Sequence, residues 1–258
     1  MKIPFYKYQG TGNDFVIING IEQNLNSIEC SVVANICNRR FGIGADGLMI
    51  ISKSANYDFE MIYYNSDGGL STMCGNGGRC IAHLAKNLGI SENIVKFIAA
   101  DGPHQAEVFN GQVALEMCDV SKIEKISEND YVVNTGSPHY VRITNYEDLA
   151  HIVEVGRSVR YNEPYATEGI NVNLIHWDGK MLHVATYERG VEDETLSCGT
   201  GVTAAALVAA MHYGIDAPVL VQTKGGELEV NFQQHQGMFT QVILKGPAVM
   251  VFKGQIEI

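Results

Sequence analysis

A chain of 258 residues with 46% hydrophobic and only 18% charged residues can bury a full core, in one large domain or in two of modest size. Its 29 acidic residues against 18 basic ones give a formal charge of −11 and exclude a surface built for nucleic acid or anionic membranes, which needs a Lys/Arg surplus. A small carboxylate ligand stays open, because local amides or a single Arg can supply the positive potential it requires.

From the N-terminus, the segment Met1 to Tyr8 lacks an apolar stretch followed by small residues, so no secretory signal is read and a cytoplasmic location is expected. There the six cysteines are expected as thiols rather than a disulfide framework. Cys30, Cys37 and Cys118 read as inert packing residues. Cys74-Gly75-Asn76-Gly77 opens a run with apolar residues at helical spacing that reaches a glycine stop at Gly89. Asn110-Gly111, between two short apolar-alternating runs, predicts a hairpin turn. The uncharged stretch Thr195 to Ile215 has about the length of a membrane span, yet its Ser, Thr, Gly and His content predicts a buried helix instead. That helix follows Cys198-Gly199-Thr200-Gly201 and is apolar on every face.

Comparison of the chain with itself at an offset of 124 residues brings several of these signals into register. Thr11-Gly12 falls on Thr135-Gly136, Cys74-Gly75-Asn76-Gly77 on Cys198-Gly199-Thr200-Gly201, Gly102 on Gly226, and the Asn110-Gly111 turn beside Gln236-Gly237. Each unit reads as short strands, a Cys-Gly loop, one helix and a hairpin. The fold class is therefore α+β, with two related domains: 1–119 completed by the returning segment 247–258, and 120–246.

A helix start leaves about four N–H groups without intrahelical partners and carries roughly half a positive charge. A cysteine there has its thiolate stabilised, and glycines beside it let a ligand carboxylate approach the amides. Two such starts could hold one carboxylate with a thiol on either side of the attached carbon. One thiolate would take the α-proton and the other thiol return one to the opposite face, while the amides stabilise the enolate-like state. Rival readings are weaker. Cys80 and His83, three apart, could join Cys74 on a metal, but with no second cluster no metal site is expected. Neither G-x-x-x-x-G-K-[ST] nor G-x-G-x-x-G is present, and no thiol-protease logic needs two cysteines.

These loops, with Gly10-Thr11-Gly12-Asn13-Asp14-Phe15, Gly42-Ile43-Gly44-Ala45-Asp46-Gly47, Asn65-Ser66-Asp67-Gly68 and Tyr187-Glu188-Arg189-Gly190, closely resemble diaminopimelate epimerases over nearly the whole chain. The resemblance implies two pseudo-symmetric α/β domains that close over substrate, each with strands wrapped around a central helix starting at a catalytic cysteine. It implies no cofactor, and in particular no pyridoxal phosphate. It further implies a homodimer and interconversion of LL- and meso-diaminopimelate on the route to lysine and peptidoglycan. Carried onto this sequence, Cys74 and Cys198 match the acid/base pair, and the amides of Gly75, Asn76, Gly199 and Thr200 match the site of the reacting carboxylate. Asn65 and Asn171 match side chains that hold the distal amino-acid end, Arg189 its carboxylate clamp and Glu188 its ammonium partner. Asn13 matches a substrate contact, His139 and Ser137 supporting positions. Many members carry Asn where Ser137 stands and some carry Gln at Gly47, so a water or a neighbour is expected to supply those hydrogen bonds here. Another cofactor-independent amino-acid racemase or epimerase on the same scaffold remains the alternative, and the Glu188-Arg189 pair is what separates the two.

Overall fold

Alternation along the chain's first strand, Lys2–Gly10, turns Ile3 and Phe5 inward and leaves Lys2 exposed, and Tyr8 is buried beyond a register shift at Lys7. The turn at Thr11 and Gly12, both with positive φ, returns it as the antiparallel strand Asn13–Asn19. Residues 2–257 are described in this computed structural model. They cluster into two units, the chain through Leu115 joined by the segment from Gly246 onward, and Glu116–Lys245.

In the first unit the strand order is Val249–Glu257, Lys2–Gly10, Asn13–Asn19, Gly47–Ser52, Phe59–Asn65, Ile94–Ala99, Gly102–Phe109 and Gln112–Glu116. Two neighbouring pairs are parallel, Asn13–Asn19 with Gly47–Ser52 and Phe59–Asn65 with Ile94–Ala99. Each requires a crossover, and the helix Gly75–Asn87 lies within the second. That helix touches strands from both ends of the order, so the sheet curls around it. It ends where Gly89 adopts φ 69° and its N–H bonds to Lys86 O, close to the expected stop.

The second unit repeats this plan. Its order is Ile123–Lys125, Asp130–Asn134, Pro138–Ile143, Asn171–Trp177, Leu182–Glu188, Val219–Thr223, Gly226–His235 and Met238–Pro247, with the third and fourth strands parallel and the fifth and sixth parallel. The central helix Gly199–Tyr213 is buried from Gly201 to Ala210, which explains its apolar residues on all faces. Among the described residues no helix is long and apolar enough to cross a membrane. Glu116 to Asp119 group with this unit, because Met117 N–H donates to Val242 O at 2.8 Å and Gln241 N–H to Asp119 Oδ1 at 3.0 Å.

Both predicted turns form. Asn110 and Gly111 have φ 50° and 75°, and Gln236 and Gly237 have φ 51° and 81°, the paired left-handed geometry that matches the twist of two-residue hairpins.

Candidate active site

Each unit places its Cys-Gly loop at the start of the helix it wraps. Cys74 is the N-cap of Gly75–Asn87, with extended backbone at φ −107° and ψ 127°, and Cys198 is the N-cap of Gly199–Tyr213, at φ −120° and ψ 114°. In both, the cysteine carbonyl accepts the first helical hydrogen bond, from Gly78 N–H at 2.7 Å and from Val202 N–H at 2.8 Å. The thiols are therefore carried beside the positive end of a helix dipole.

Around Cys74 the structure gathers Asn13 and Asn76. Cys74 Sγ donates to Asn13 Oδ1 at 3.5 Å, and Asn76 Nδ2 donates to the same oxygen at 3.3 Å. The Asn13 amide is oriented by Asp46, whose Oδ2 accepts from Asn13 Nδ2 at 2.6 Å. Asp46 in turn bonds Arg39 at 2.7 Å, and Arg39 grips Asp14 through both terminal nitrogens, at 3.0 and 2.6 Å. Lys7 completes the network at 2.6 Å from Asp14, and its ammonium donates to Gly44 O. Burial alone would raise the Asp14 carboxyl, but hydrogen bonds from Arg39 and Lys7 outweigh it and hold the pKa down to about 2.

Beneath this loop lies Arg79, fully buried. Its Nη2 donates to Asn76 Oδ1 at 3.0 Å and Thr11 Oγ1 at 3.2 Å, its Nη1 to Gly75 O at 3.4 Å, and Nε has no partner. Among the described residues no carboxylate pairs with it. Burial pushes its pKa down, against the nearby Cys80 and Cys74 sulfurs, which pull it up. Cys80 is an inert thiol, pushed up to about 12 by the same burial, and His83 is engaged by Tyr8 and Asn87. Asn65 is exposed at the end of its strand, with its backbone closed onto the turn at Gly68 and Gly69. Gly47 has no room for a side chain: a Cβ there would lie 2.5 Å from the Tyr63 ring and 3.0 Å from its hydroxyl. Tyr63 is thus the neighbour that fills the space.

Around Cys198 the structure gathers Thr200 and His139. Thr200 Oγ1 is 3.5 Å from Cys198 Sγ and 2.9 Å from His139 Nε2. The helix start packs so closely on this group that a Cβ on Gly201 would stand 2.5 Å from Asn173 Oδ1 and 3.3 Å from Cys198 Cβ and His139 Cε1. Ser137, Asn171 and Arg189 form a second group. Asn171 Nδ2 donates to Ser137 Oγ at 2.9 Å and Pro138 O at 3.0 Å, and its Oδ1 accepts from Arg189 N–H at 2.9 Å. Ser137 thereby pairs with a protein amide. The Arg189 side chain is exposed and donates to Glu168 O at 3.0 Å, while half-buried Glu188 ends the strand before it.

Sequence reasoning missed Arg79, Asp14, Asp46, Asn173 and Tyr63. Both aspartates lay inside quoted motifs, next to Asn13 and Gly47, and a lone Arg in a Gly/Ala-rich helix start was the available signal for Arg79.

Two units of one design, each sheet wound about a helix, make up the fold. Solved structures of a PhzF-family protein from Bacillus anthracis (TM-score 0.77, 15% identity, 100% of both chains) and of a probable proline racemase from Agrobacterium radiobacter (TM-score 0.72, 15% identity, 99% of this chain and 93% of that one) share it. The diaminopimelate epimerase profile matches twice, over residues 5–125 and 131–251. A diaminopimelate epimerase from Flavobacterium psychrophilum is 44% identical over 257 residues, 98% of this chain and all of the relative. This chain belongs to the diaminopimelate epimerase family.

Proposed function

We propose that this chain is an isomerase that interconverts LL- and meso-diaminopimelate by proton transfer at the α-carbon, without pyridoxal phosphate or metal, for lysine and peptidoglycan precursor synthesis. The carrying observation is that both units open their one enclosed helix with Cys-Gly-x-Gly. Removal of the α-proton builds negative charge on the carboxylate, where the first-turn amides of Gly75, Asn76, Gly199 and Thr200 are suited to receive it. One cysteine as thiolate takes the proton and the other as thiol supplies one to the opposite face. The net charge of the pair is unchanged and the roles are exchanged after each inversion.

At the distal end, Arg189 is proposed as the carboxylate clamp, Glu188 as ammonium partner, and Asn65 and Asn171 as amide contacts; Asn13 is proposed as a further substrate contact, beside Cys74, with Ser137 and His139 supporting the site. Asn171 is already engaged by Ser137, Pro138 and Arg189, so its contribution is to fix the backbone that carries Arg189. The chain is proposed to act in the cytoplasm as a homodimer of two-domain protomers. The run of four exposed apolar residues Val249 to Phe252 supports pairing.

Incubation of LL-diaminopimelate with the protein in heavy water, followed by NMR, should show inversion with α-deuteration and no added cofactor. Cys74→Ser and Cys198→Ser should each abolish it, since a hydroxyl is too weak an acid to furnish the anion; either variant retaining substantial turnover defeats the two-base reading. Arg189→Ala with near wild-type diaminopimelate turnover would favour another amino-acid racemase on this scaffold.

A further inference from the structure

Behind Cys198 runs a line of polar groups, buried at its far end. Asn173 is fully buried on the strand Asn171–Trp177. Its Nδ2 lies 3.0 Å from His139 Nδ1 and 3.3 Å from Tyr140 O, and its Oδ1 accepts from Thr186 Oγ1 at 2.9 Å. His139, also fully buried, reaches Thr200 Oγ1, which reaches Cys198 Sγ.

The direction of every proton in this line is decided at its far end. The Tyr140 carbonyl can only accept, so the NH2 side of the Asn173 amide must face it. The same NH2 then faces His139 Nδ1, which must accept, and a neutral imidazole that accepts at Nδ1 carries its proton on Nε2. Nε2–H donates to Thr200 Oγ1, and the Thr200 hydroxyl proton is released from His139 and points at sulfur. With the opposite tautomer the hydroxyl would donate to His139 and offer sulfur a lone pair, which favours the thiol.

We infer that Asn173, His139 and Thr200 form a positioning relay whose output is one hydroxyl donor on Cys198, with His139 acting as a fixed neutral donor rather than as an acid or base. This rests on Cys198 being a proton-transferring thiol. Burial, with the Arg189 charge adding to it, pushes His139 down to about 3, so the ring stays neutral at physiological pH. The Thr135 hydroxyl anchors the other side of the donor, bonding Thr200 O at 2.8 Å.

The test is residue-resolved alkylation of the full chain by iodoacetamide at pH 7, read by peptide mass spectrometry. Thr200→Val keeps the shape and removes the hydroxyl, and should slow Cys198 about tenfold, the effect of one unit in thiol pKa, without altering Cys74. Thr200→Ser should restore the rate, and His139→Gln, whose amide can present an N–H near the Nε2 position, should stay within about threefold of wild type. A wild-type Cys198 rate in Thr200→Val overturns the inference, as does slowing of both cysteines together or a failure of Ser to rescue. The readout needs no turnover, so it can fail in an active epimerase and succeed in a chain that leaves diaminopimelate untouched.

Discussion

Replacement of Arg79 by Met should separate stability from activity. A guanidinium taken out of water costs several kcal/mol, more when no carboxylate answers it, and the unpaired Nε adds about 1–3 kcal/mol. Its two closer hydrogen bonds, at 3.0 Å to Asn76 and 3.2 Å to Thr11, return about 1.5–3 kcal/mol each. Gains and costs are of similar size, and Met fills much of the same volume. Arg79→Met should therefore change the unfolding free energy measured in urea by no more than about 2 kcal/mol. Its loss would, however, remove the donor to Asn76 Oδ1 and the buried positive charge beneath the Cys74 helix start. We expect kcat/KM for diaminopimelate to fall about 100-fold, the scale of losing one preorganised donor at a developing charge. Arg79→Lys keeps charge but not the planar fork, and should fall in between. A loss of more than about 4 kcal/mol in stability with kcat/KM unchanged would make Arg79 a packing residue and refute this reasoning.

Other consequences concern pH and backbone. The Asp14 carboxyl is held below its ordinary value, so the stability it contributes is present above about pH 4 and is lost as pH falls toward 2. Asp14→Asn should flatten acid unfolding in that window, followed by circular dichroism. His139 is held neutral, so folded chains bind fewer protons than unfolded ones between about pH 6.5 and 3, and stability declines as pH falls through that range. His139→Gln should remove this part of the slope. Gly214 has φ 67° with nothing within 4 Å of its missing Cβ, so Gly214→Ala should cost about 1 kcal/mol in urea through backbone strain alone and leave turnover unchanged.

The helix starts were legible because a Cys-Gly-x-Gly step ahead of helix formers carries its own backbone logic, and the hairpins because Asn110-Gly111 and Gln236-Gly237 satisfy a local torsional demand. The repeat was legible for the same reason: its anchors are local. What held Asn13 was not. Asp46 is far from it in the chain and meets it only because Asn13–Asn19 and Gly47–Ser52 pair in parallel, with Phe15 opposite Gly47, a register that no single segment encodes. His139 was found by motif, but its partner Asn173 required the parallel register of Pro138–Ile143 on Asn171–Trp177. The neighbours met by Ser137 and Gly47 are Asn171 and Tyr63, whose proximity only the folded sheets provide.

Residues 124 apart in the two units share a backbone but not a task. Asn13 corresponds to Ser137, Phe15 to His139, Gly47 to Asn171, Met49 to Asn173, Asn76 to Thr200 and Arg79 to Thr203. What the duplication preserves is the helix start, which depends on glycine and on unspent amides. What has diverged is the means of controlling sulfur. Cys74 has a carbonyl acceptor in Asn13 and a buried guanidinium below it, whereas at Cys198 the equivalent of Arg79 is Thr203, whose hydroxyl bonds its own helix at Gly199 O, and a hydroxyl stands at the sulfur instead. In the proposed two-base reaction each thiol serves as base in one direction and acid in the other, which calls for thiols of comparable acidity. Matching by unlike devices, a charge in one unit and an oriented hydroxyl in the other, leaves each side adjustable by mutation without disturbing its counterpart.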